Sequence, residues 1–412
     1  MSHATNSPKK GSKDVPAPSK LYRNSDQVCC VKPIQELAKE LAQSVAVGDI
    51  EGLQRALDSG ADINGLHKHA SKNDQQEYTY TPLQVAAHCG RVGAAEYLLK
   101  RGALVDSTNP DLDTAFSVAV DVGALKTAQL LRESGADVNH QNEKGYTPLH
   151  LLVRVDFEPE RPGDVEMLSF LIQKCQVDVN VESKGGQTPL LLAARNKHRE
   201  WFDMLARCER VELNKADRDG YTALYYAVGR DDKSLVKKLL DRGAKVDQEV
   251  KGDLLEKTSP LALAVRSELD KFMMLGPKES GDEDVKPKRD RLEMFRLLHD
   301  RGGNIKSKYA EKGKTLLHLA TEQGRLDIVK HLIENEVDLH ELDSDGNNAL
   351  LIAVINDKPG IVELLCSHGS HLHHKNKLFS SALAIARERG FHDIITILEK
   401  ANSSKHSLMK AE

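Results

Sequence analysis

Residues 135–152 read GADVNHQNEKGYTPLHLL, and variants of this unit return along the chain, as in TPLLLAA at residues 188–194. We take Thr147 as the anchor of the unit, and several intervals between neighbouring anchors are 33 residues. The equivalent positions are Lys39, Thr81, Thr114, Thr147, Thr188, Thr222, Ser259, Thr315, Asn348 and Ser381. A fixed period of this length predicts a stack of small units instead of one large core.

The residue types at fixed offsets from the anchor predict two helices in each unit. A large apolar residue lies two positions after the anchor and a small one, mostly Ala, lies five after it, so both occupy one face of a first helix. Thr or Ser at the anchor suits a helix N-cap, and Pro often follows where Pro is tolerated. A second helix should end at a left-handed residue 21 positions after the anchor. These residues are Gly60, Gly102, Gly135, Gly243, Gly369 and, in the last unit, Asn402.

The period and the T-P-L-H-x-A pattern resemble the ankyrin-repeat family over residues 33–402. This resemblance implies an all-α fold, an α-solenoid of about ten ankyrin repeats with β-hairpin-like fingers such as Asp137-Val138-Asn139. No unit can bury its apolar face alone, and stacking gives a continuous core. The resemblance also implies recognition of a protein partner by the concave side, which fingers and first helices line.

Residues outside the period mark tails and additions. We expect a disordered polar tail at 1–32, a first helix from Ile34 to Val47 and a short tail at 403–412. Residues 269–291 are polar and of mixed charge, which predicts a disordered insertion. A docking or phosphorylation segment around Ser280 is the alternative to a tolerated surface insertion. Shorter additions lengthen the finger near 67–69 and separate the two helices of the fourth unit at 156–162.

Composition narrows the function classes. The net charge of -4 and the pI near 6.5 argue against a nucleic-acid binder, which needs a strongly basic face. The sequence has no run of 18 apolar residues, so no membrane insertion is expected. The first 30 residues are polar, unlike a secretory signal, and the six cysteines are sparse. We therefore expect reduced thiols in a cytoplasmic or nuclear protein that is monomeric.

Signatures of catalysis and cofactor binding are missing from the sequence. It contains neither a phosphate-binding GxxxxGK[ST] nor GxGxxG, HExxH or GxSxG, so we expect no enzyme and no cofactor. Soft ligands cluster at Cys366, His368, His371, His373 and His374. The favoured alternative is an ordinary finger with its turn at Gly369, and hence no metal. At the TPLH position, His150 and His318 should hydrogen-bond around the helix start, and Trp201 should lie in the core.

Four tyrosines are the candidate partner-binding residues. Tyr80, Tyr146 and Tyr221 directly precede anchors, and Tyr225 takes the His position of TPLH one unit inward. Tyr is enriched at interfaces because a rigid apolar ring carries a polar tip. The alternative is that the tyrosines on the fingers only pack against the next finger.

Two residues are candidate hydroxylation sites by family resemblance. Fingers of ankyrin repeats are often hydroxylated at the Asn after Asp-Val, with a Leu eight residues upstream, and Asn139 fits this pattern. His340 fits it more loosely, after Asp338-Leu339. The alternative for Asn139 is a hydrogen bond within the turn.

The function expected from these observations is a non-catalytic scaffold or inhibitor that binds a protein partner. A substrate-recognition adaptor of a ubiquitin ligase is the alternative. Such adaptors usually add a C-terminal box, for which the tail after Lys400 is too short. An enzyme or a metal-dependent protein is a weaker alternative, since the motifs are absent.

Overall fold

A computed structural model describes residues 33–70, 77–154, 163–196, 199–248, 259–266, 291–309 and 313–408. Over these residues the chain forms twenty α-helices, which follow one another as ten pairs. They are α1 (Ile34–Val47), α2 (Ile50–Asp58), α3 (Pro82–His88), α4 (Val92–Lys100), α5 (Ala115–Asp121), α6 (Leu125–Glu133), α7 (Pro148–Val153), α8 (Asp164–Ser169), α9 (Pro189–Arg195), α10 (Arg199–Arg207), α11 (Ala223–Gly229), α12 (Lys233–Asp241), α13 (Pro260–Val265), α14 (Arg291–Asp300), α15 (Leu316–Glu322), α16 (Leu326–Glu334), α17 (Ala349–Ile355), α18 (Pro359–Ser367), α19 (Ala382–Arg389) and α20 (His392–Leu408). We call the odd-numbered helices inner and the even-numbered ones outer. The all-α solenoid predicted from the sequence is confirmed.

The anchor residues cap the inner helices from α3 to α19. In each case the anchor oxygen accepts the backbone N–H three residues later, which satisfies one of the unpaired donors at the helix start. The first unit differs, because Lys39 lies inside α1 and Pro33 stands at its start. The period thus located nine helix starts correctly, and the first helix has the predicted bounds, Ile34 to Val47.

The outer helices end at the predicted glycine in five of the ten units. These five glycines have φ between 87° and 95°, a region that glycine enters without strain. Gly302 ends the seventh unit in the same way, with φ 95°, but the insertion displaces it from the expected offset. Asn402 does not terminate a helix, because α20 continues through it to Leu408.

Short strands and backbone hydrogen bonds shape the fingers. The lengthened second finger forms an antiparallel hairpin of β1 (His67–Ala70) and β2 (Glu77–Tyr80), with His67 opposite Tyr80. A second hairpin joins β3 (Lys308–Tyr309) and β4 (Lys314–Thr315). Neighbouring fingers also bond directly, since the Lys184 N–H donates to the Lys144 carbonyl at 3.0 Å. The fingers therefore form one surface that runs across successive repeats.

The core runs the length of the described chain. Each inner helix packs on the next inner helix and on the outer helix of its own pair. Buried apolar side chains form one cluster from Leu41 to Leu398. Trp201 is 4% exposed, so its prediction as a core residue is confirmed. Leu152, which replaces the usual Ala, is fully buried, and after α8 the outer helix of that unit continues as a π-helix over Phe170–Cys175.

The predicted tail at 1–32 and the additions at 156–162 and 269–290 lie outside the described residues. Arg291, the last residue of the predicted insertion, instead begins α14 and is 3% exposed. In the part of the chain that the structure describes, no helix is long and apolar enough to cross a membrane.

Candidate protein-binding face

The third residue after each anchor points into the seam between two repeats. From the second to the ninth unit this residue is at most 2% exposed, whatever its type. His150 shows what a polar residue does there: its Nδ1 accepts the Thr147 N–H at 3.1 Å, and its Nε2 donates to the Gln187 carbonyl of the next repeat at 2.9 Å. Burial lowers the pKa of His150 to about 4, so the ring is neutral at pH 7. The prediction of a structural role is confirmed for His150, and His318 accepts the Thr315 N–H at 3.0 Å in the same way.

This seam explains why Tyr225 cannot contact a partner directly. It is the third residue after Thr222 and is only 1% exposed, because α11 packs between α9 and α13. The sequence assigned it to the binding surface, and that assignment is wrong. The ring lies instead beneath Tyr221, with centroids 4.9 Å apart.

Tyr80 is also unavailable. It is 7% exposed, and the ring of Tyr78 stacks on it with centroids 5.2 Å apart and planes within 4°. His88, from the end of α3, lies 5.6 Å from the same ring. Tyr80 therefore packs within its own finger and inner helix, and these contacts are not with the next finger.

Tyr146 and Tyr221 remain on the surface. Both are partly exposed, and each rests on a buried ring of its own inner helix. Tyr146 stacks on His150 at 5.7 Å with planes 19° apart, as Tyr221 does less regularly on Tyr225. Burial, and then the nearby Asp219 and Asp217 carboxylates, raise the pKa of Tyr221, so its hydroxyl stays protonated. Two oriented aromatic side chains, each with a polar tip, therefore face outward.

An open depression of about 400 Å³ adjoins Tyr146. Its lining comes from the fourth and fifth fingers and consists of Glu143, Lys144, Tyr146, Ser183, Lys184, Gly185 and Gln187. Backbone approach is close in this region, since a side chain on Gly145 would meet the Lys184 nitrogen at 2.6 Å. The fingers are thus held together, and the depression can accept a protruding group of a partner.

The model for ankyrin repeats (3 copies) matches residues 41–142, 159–250 and 286–376. The chain belongs to the ankyrin-repeat family. Ankyrin repeats form a non-catalytic fold for protein–protein interaction.

Several curated ankyrin-repeat proteins are similar to parts of the chain. Human transient receptor potential cation channel subfamily A member 1 is 23% identical over 81% of this chain and 27% of its own length. A putative palmitoyltransferase of Danio rerio is 27% identical over 51% of the chain and 30% of its own length. Human neurogenic locus notch homolog protein 1 is 27% identical over 41% of the chain and 7% of its own length. The chain thus spans less than a third of each of these relatives.

Asn139 belongs to a series of ankyrin finger residues that tie one repeat to the next. Its Oδ1 accepts the Asp178 N–H of the following repeat at 2.9 Å. The equivalent side chains make the same contact at 2.8 to 3.1 Å. They are Asn64, Asp106, Asn180, Asn214 and Asp247. Asn139 therefore links two repeats by its side chain and is at the same time exposed.

The histidine-rich tenth finger follows the ordinary finger pattern. Leu372 is buried, as the Val position requires, and Gly369 makes the left-handed turn. His340, the second candidate hydroxylation site, is exposed and stacks on His371 with centroids 3.7 Å apart. Across the described residues no group of three or more His, Cys, Asp or Glu side chains could hold a metal ion.

Proposed function

We propose that this ankyrin-repeat chain is a non-catalytic scaffold or inhibitor that binds a protein partner on its concave face, with Tyr146 and Tyr221 as central contacts. The observation that carries the proposal is that the rings of Tyr146 and Tyr221 are both held in place by stacking. Each partly exposed tyrosine lies on a buried ring of its own inner helix, and one of them borders the open depression.

Such support favours binding for an entropic reason. Immobilising a free side chain at an interface costs about 0.5–1.5 kcal/mol, and a ring already held by stacking avoids part of that cost. Large aromatic side chains also dominate binding energies at protein interfaces. The fingers and inner helices of several repeats offer room for an interface of about 1,600 Å².

The test begins with affinity purification of the chain from its native cell and identification of bound proteins by mass spectrometry. The affinity of a captured partner is then measured by calorimetry. Tyr146→Ala combined with Tyr221→Ala should cost about 2 kcal/mol, or roughly 30-fold in Kd, because two interface rings are truncated. Far-UV circular dichroism should show a folded array.

Tyr97→Ala is the matched control. Tyr97 is also partly exposed, but it belongs to the outer helix α4. We expect its loss to leave partner affinity unchanged. Full affinity in a well-folded double variant would move the site to the outer helices or to the insertion, and would defeat the proposal.

A monomeric state and a cytoplasmic or nuclear location are part of the same proposal. Light scattering of the purified chain tests the first, and fluorescence microscopy of the tagged chain in its native cell tests the second.

A further inference from the structure

Basic side chains lie on three successive fingertips and at the carboxyl ends of four successive inner helices in the central repeats. On the fingertips they do not share one position, since Lys184 and Arg218 lie four residues before their anchors and Lys144 three before its own. Lys144, Lys184 and Arg218 are exposed at the tips of three successive fingers. At the carboxyl ends of four successive inner helices the chain has Arg154, Arg195, Arg230 and Arg266. We call these seven residues the central basic face.

The two rows lie on the same side of the molecule. In the second repeat the residue before the anchor, Tyr80, contacts the helix-end residue His88. In the eighth repeat the same two positions form the ion pair of Lys314 with Glu322 at 2.8 Å. By this equivalence Arg154 lies beside Tyr146 and Arg195 beside Gln187, whereas the sixth repeat has Gly229 at this position and Arg230 one residue later.

The helix-end position, seven residues after the anchor, carries Arg only in the central repeats. Arg154, Arg195 and Arg266 occupy it there. In the second, third, eighth, ninth and tenth repeats it carries His88, Asp121, Glu322, Ile355 and Glu388. This row of arginines stands out in a chain whose net charge is -4.

Neighbouring carboxylates neutralise this charge only in part. Within the described residues no ion pair involves Lys144, Lys184 or Arg218. Arg154 pairs loosely with Asp121 at 3.8 Å, and Glu143 and Asp219 are the exposed acids on the same fingertips. The side chain of Arg230 turns back to the Ala194 carbonyl. The two fingertip lysines line the depression beside Tyr146 and are therefore placed to meet the charge of a bound partner.

We propose that the central basic face recognises an acidic segment of a protein partner, one rich in Asp and Glu with apolar residues between them. This inference rests on the proposed function and specifies the chemistry of the same site. Carboxylates would meet the finger and helix-end rows, while apolar side chains would lie on Tyr146 and Tyr221. Complementary charge of this kind speeds encounter and selects partners. A nucleic acid is disfavoured because the chain as a whole has a pI near 6.5.

The test compares two triple variants with the same change in charge. Lys144→Glu, Lys184→Glu and Arg218→Glu together reverse the fingertip row. The control combines Lys126→Glu, Lys237→Glu and Lys330→Glu, which are exposed positions on the outer helices α6, α12 and α16. Neither set touches the core, so thermal melting should be similar for both.

The probe is a fluorescein-labelled peptide of about 15 residues in which Glu alternates with Ala and Leu, long enough to cross four repeats when extended. We expect the unmodified chain and the control variant to bind it, and the fingertip variant to bind it at least about 10-fold more weakly. The same peptide with Gln for Glu should not bind, and added salt should weaken the complex because exposed charges are screened.

Several outcomes would overturn the inference. The first is that the unmodified chain does not bind the Glu peptide. The second is that both triple variants lose the same affinity for it. The third is that a phosphoserine peptide or single-stranded DNA binds much more tightly than the Glu peptide. If a natural partner loses affinity through the tyrosine substitutions but not through the fingertip variant, the proposed function stands and the acidic chemistry is wrong.

Discussion

His150→Gln should remove a source of acid sensitivity without removing a link between repeats. His150 is buried between the fourth and fifth repeats, where it accepts one backbone N–H and donates to one carbonyl. The chain itself shows that Gln can do the same. At the equivalent position Gln84 accepts the Thr81 N–H at 2.8 Å, and its amide donates to the Asp113 carbonyl. The variant should therefore fold with nearly normal stability at pH 7.5.

The magnitude follows from the pKa of His150. Burial lowers it from 6.5 to about 4, so the unfolded chain takes up a proton at a higher pH than the folded chain does. The stability is then fully present above about pH 6.5 and is lost as the pH falls toward 4. At about 1.36 kcal/mol per pKa unit, the loss between pH 7.5 and pH 5 is about 2 kcal/mol. The Gln variant should lose about 2 kcal/mol less over this interval.

Urea denaturation followed by the fluorescence of Trp201 provides the assay. Trp201 is the single tryptophan and is buried in the repeat that packs on the one containing His150. A local probe is preferable because long repeat arrays need not unfold in one step. Other histidines whose pKa burial lowers, such as His318, are common to both proteins and cancel in the comparison. If both proteins lost the same free energy of unfolding between pH 7.5 and pH 5, His150 would not be the source of the acid sensitivity. As a control, His373→Gln at an exposed finger position should leave the free energy of unfolding unchanged.

Three further substitutions or analyses test the packing and the fingers. Ala193→Leu, at a site only 1% exposed, should overpack the helix interface and lower the free energy of unfolding, measured in urea, by about 1–3 kcal/mol. Ala384→Leu, at an exposed site, should lower it little, and equal losses would contradict the assigned packing. Gly186→Ala should destabilise the chain more than Gly243→Ala. Both glycines have positive φ, but only at Gly186 would the new Cβ lie 2.9 Å from the backbone of the next finger. Equal urea midpoints for the two variants would argue against this close approach. Mass spectrometry of the native protein should detect one added oxygen on Asn139, and an unmodified peptide after exposure to the hydroxylase would limit this residue to its structural link.

The fold could be predicted from the sequence because the same local helix signals recur in each repeat. An anchor such as Thr147 caps a helix, and a glycine such as Gly135 ends one, whatever the distant contacts. At the last unit, however, the period predicts a helix end that the structure does not have. It marks Asn402 as a terminator, but α20 continues through this residue to Leu408.

The binding surface was harder to predict, because exposure depends on neighbours that a single repeat does not specify. Tyr225 looked like a surface residue, although the apolar Leu191 and Ala262 at its equivalent positions already indicate a buried seam. The role of Asn139 was also visible in principle, since Asn or Asp recurs at that offset in six units. The stacking of Tyr78 on Tyr80 depends on how the lengthened finger folds back, which the periodic pattern does not specify.

The most direct measurement of the central claim is site-specific photo-cross-linking in the native cell. A photo-reactive benzoylphenylalanine replaces Tyr146 or Tyr221 in one pair of variants, and Lys126 or Lys237 on the outer helices in the other pair. If recognition takes place on the concave face, irradiation should join a partner protein to the first pair and not to the second. Adducts formed only from the outer-helix positions would show that the partner binds elsewhere.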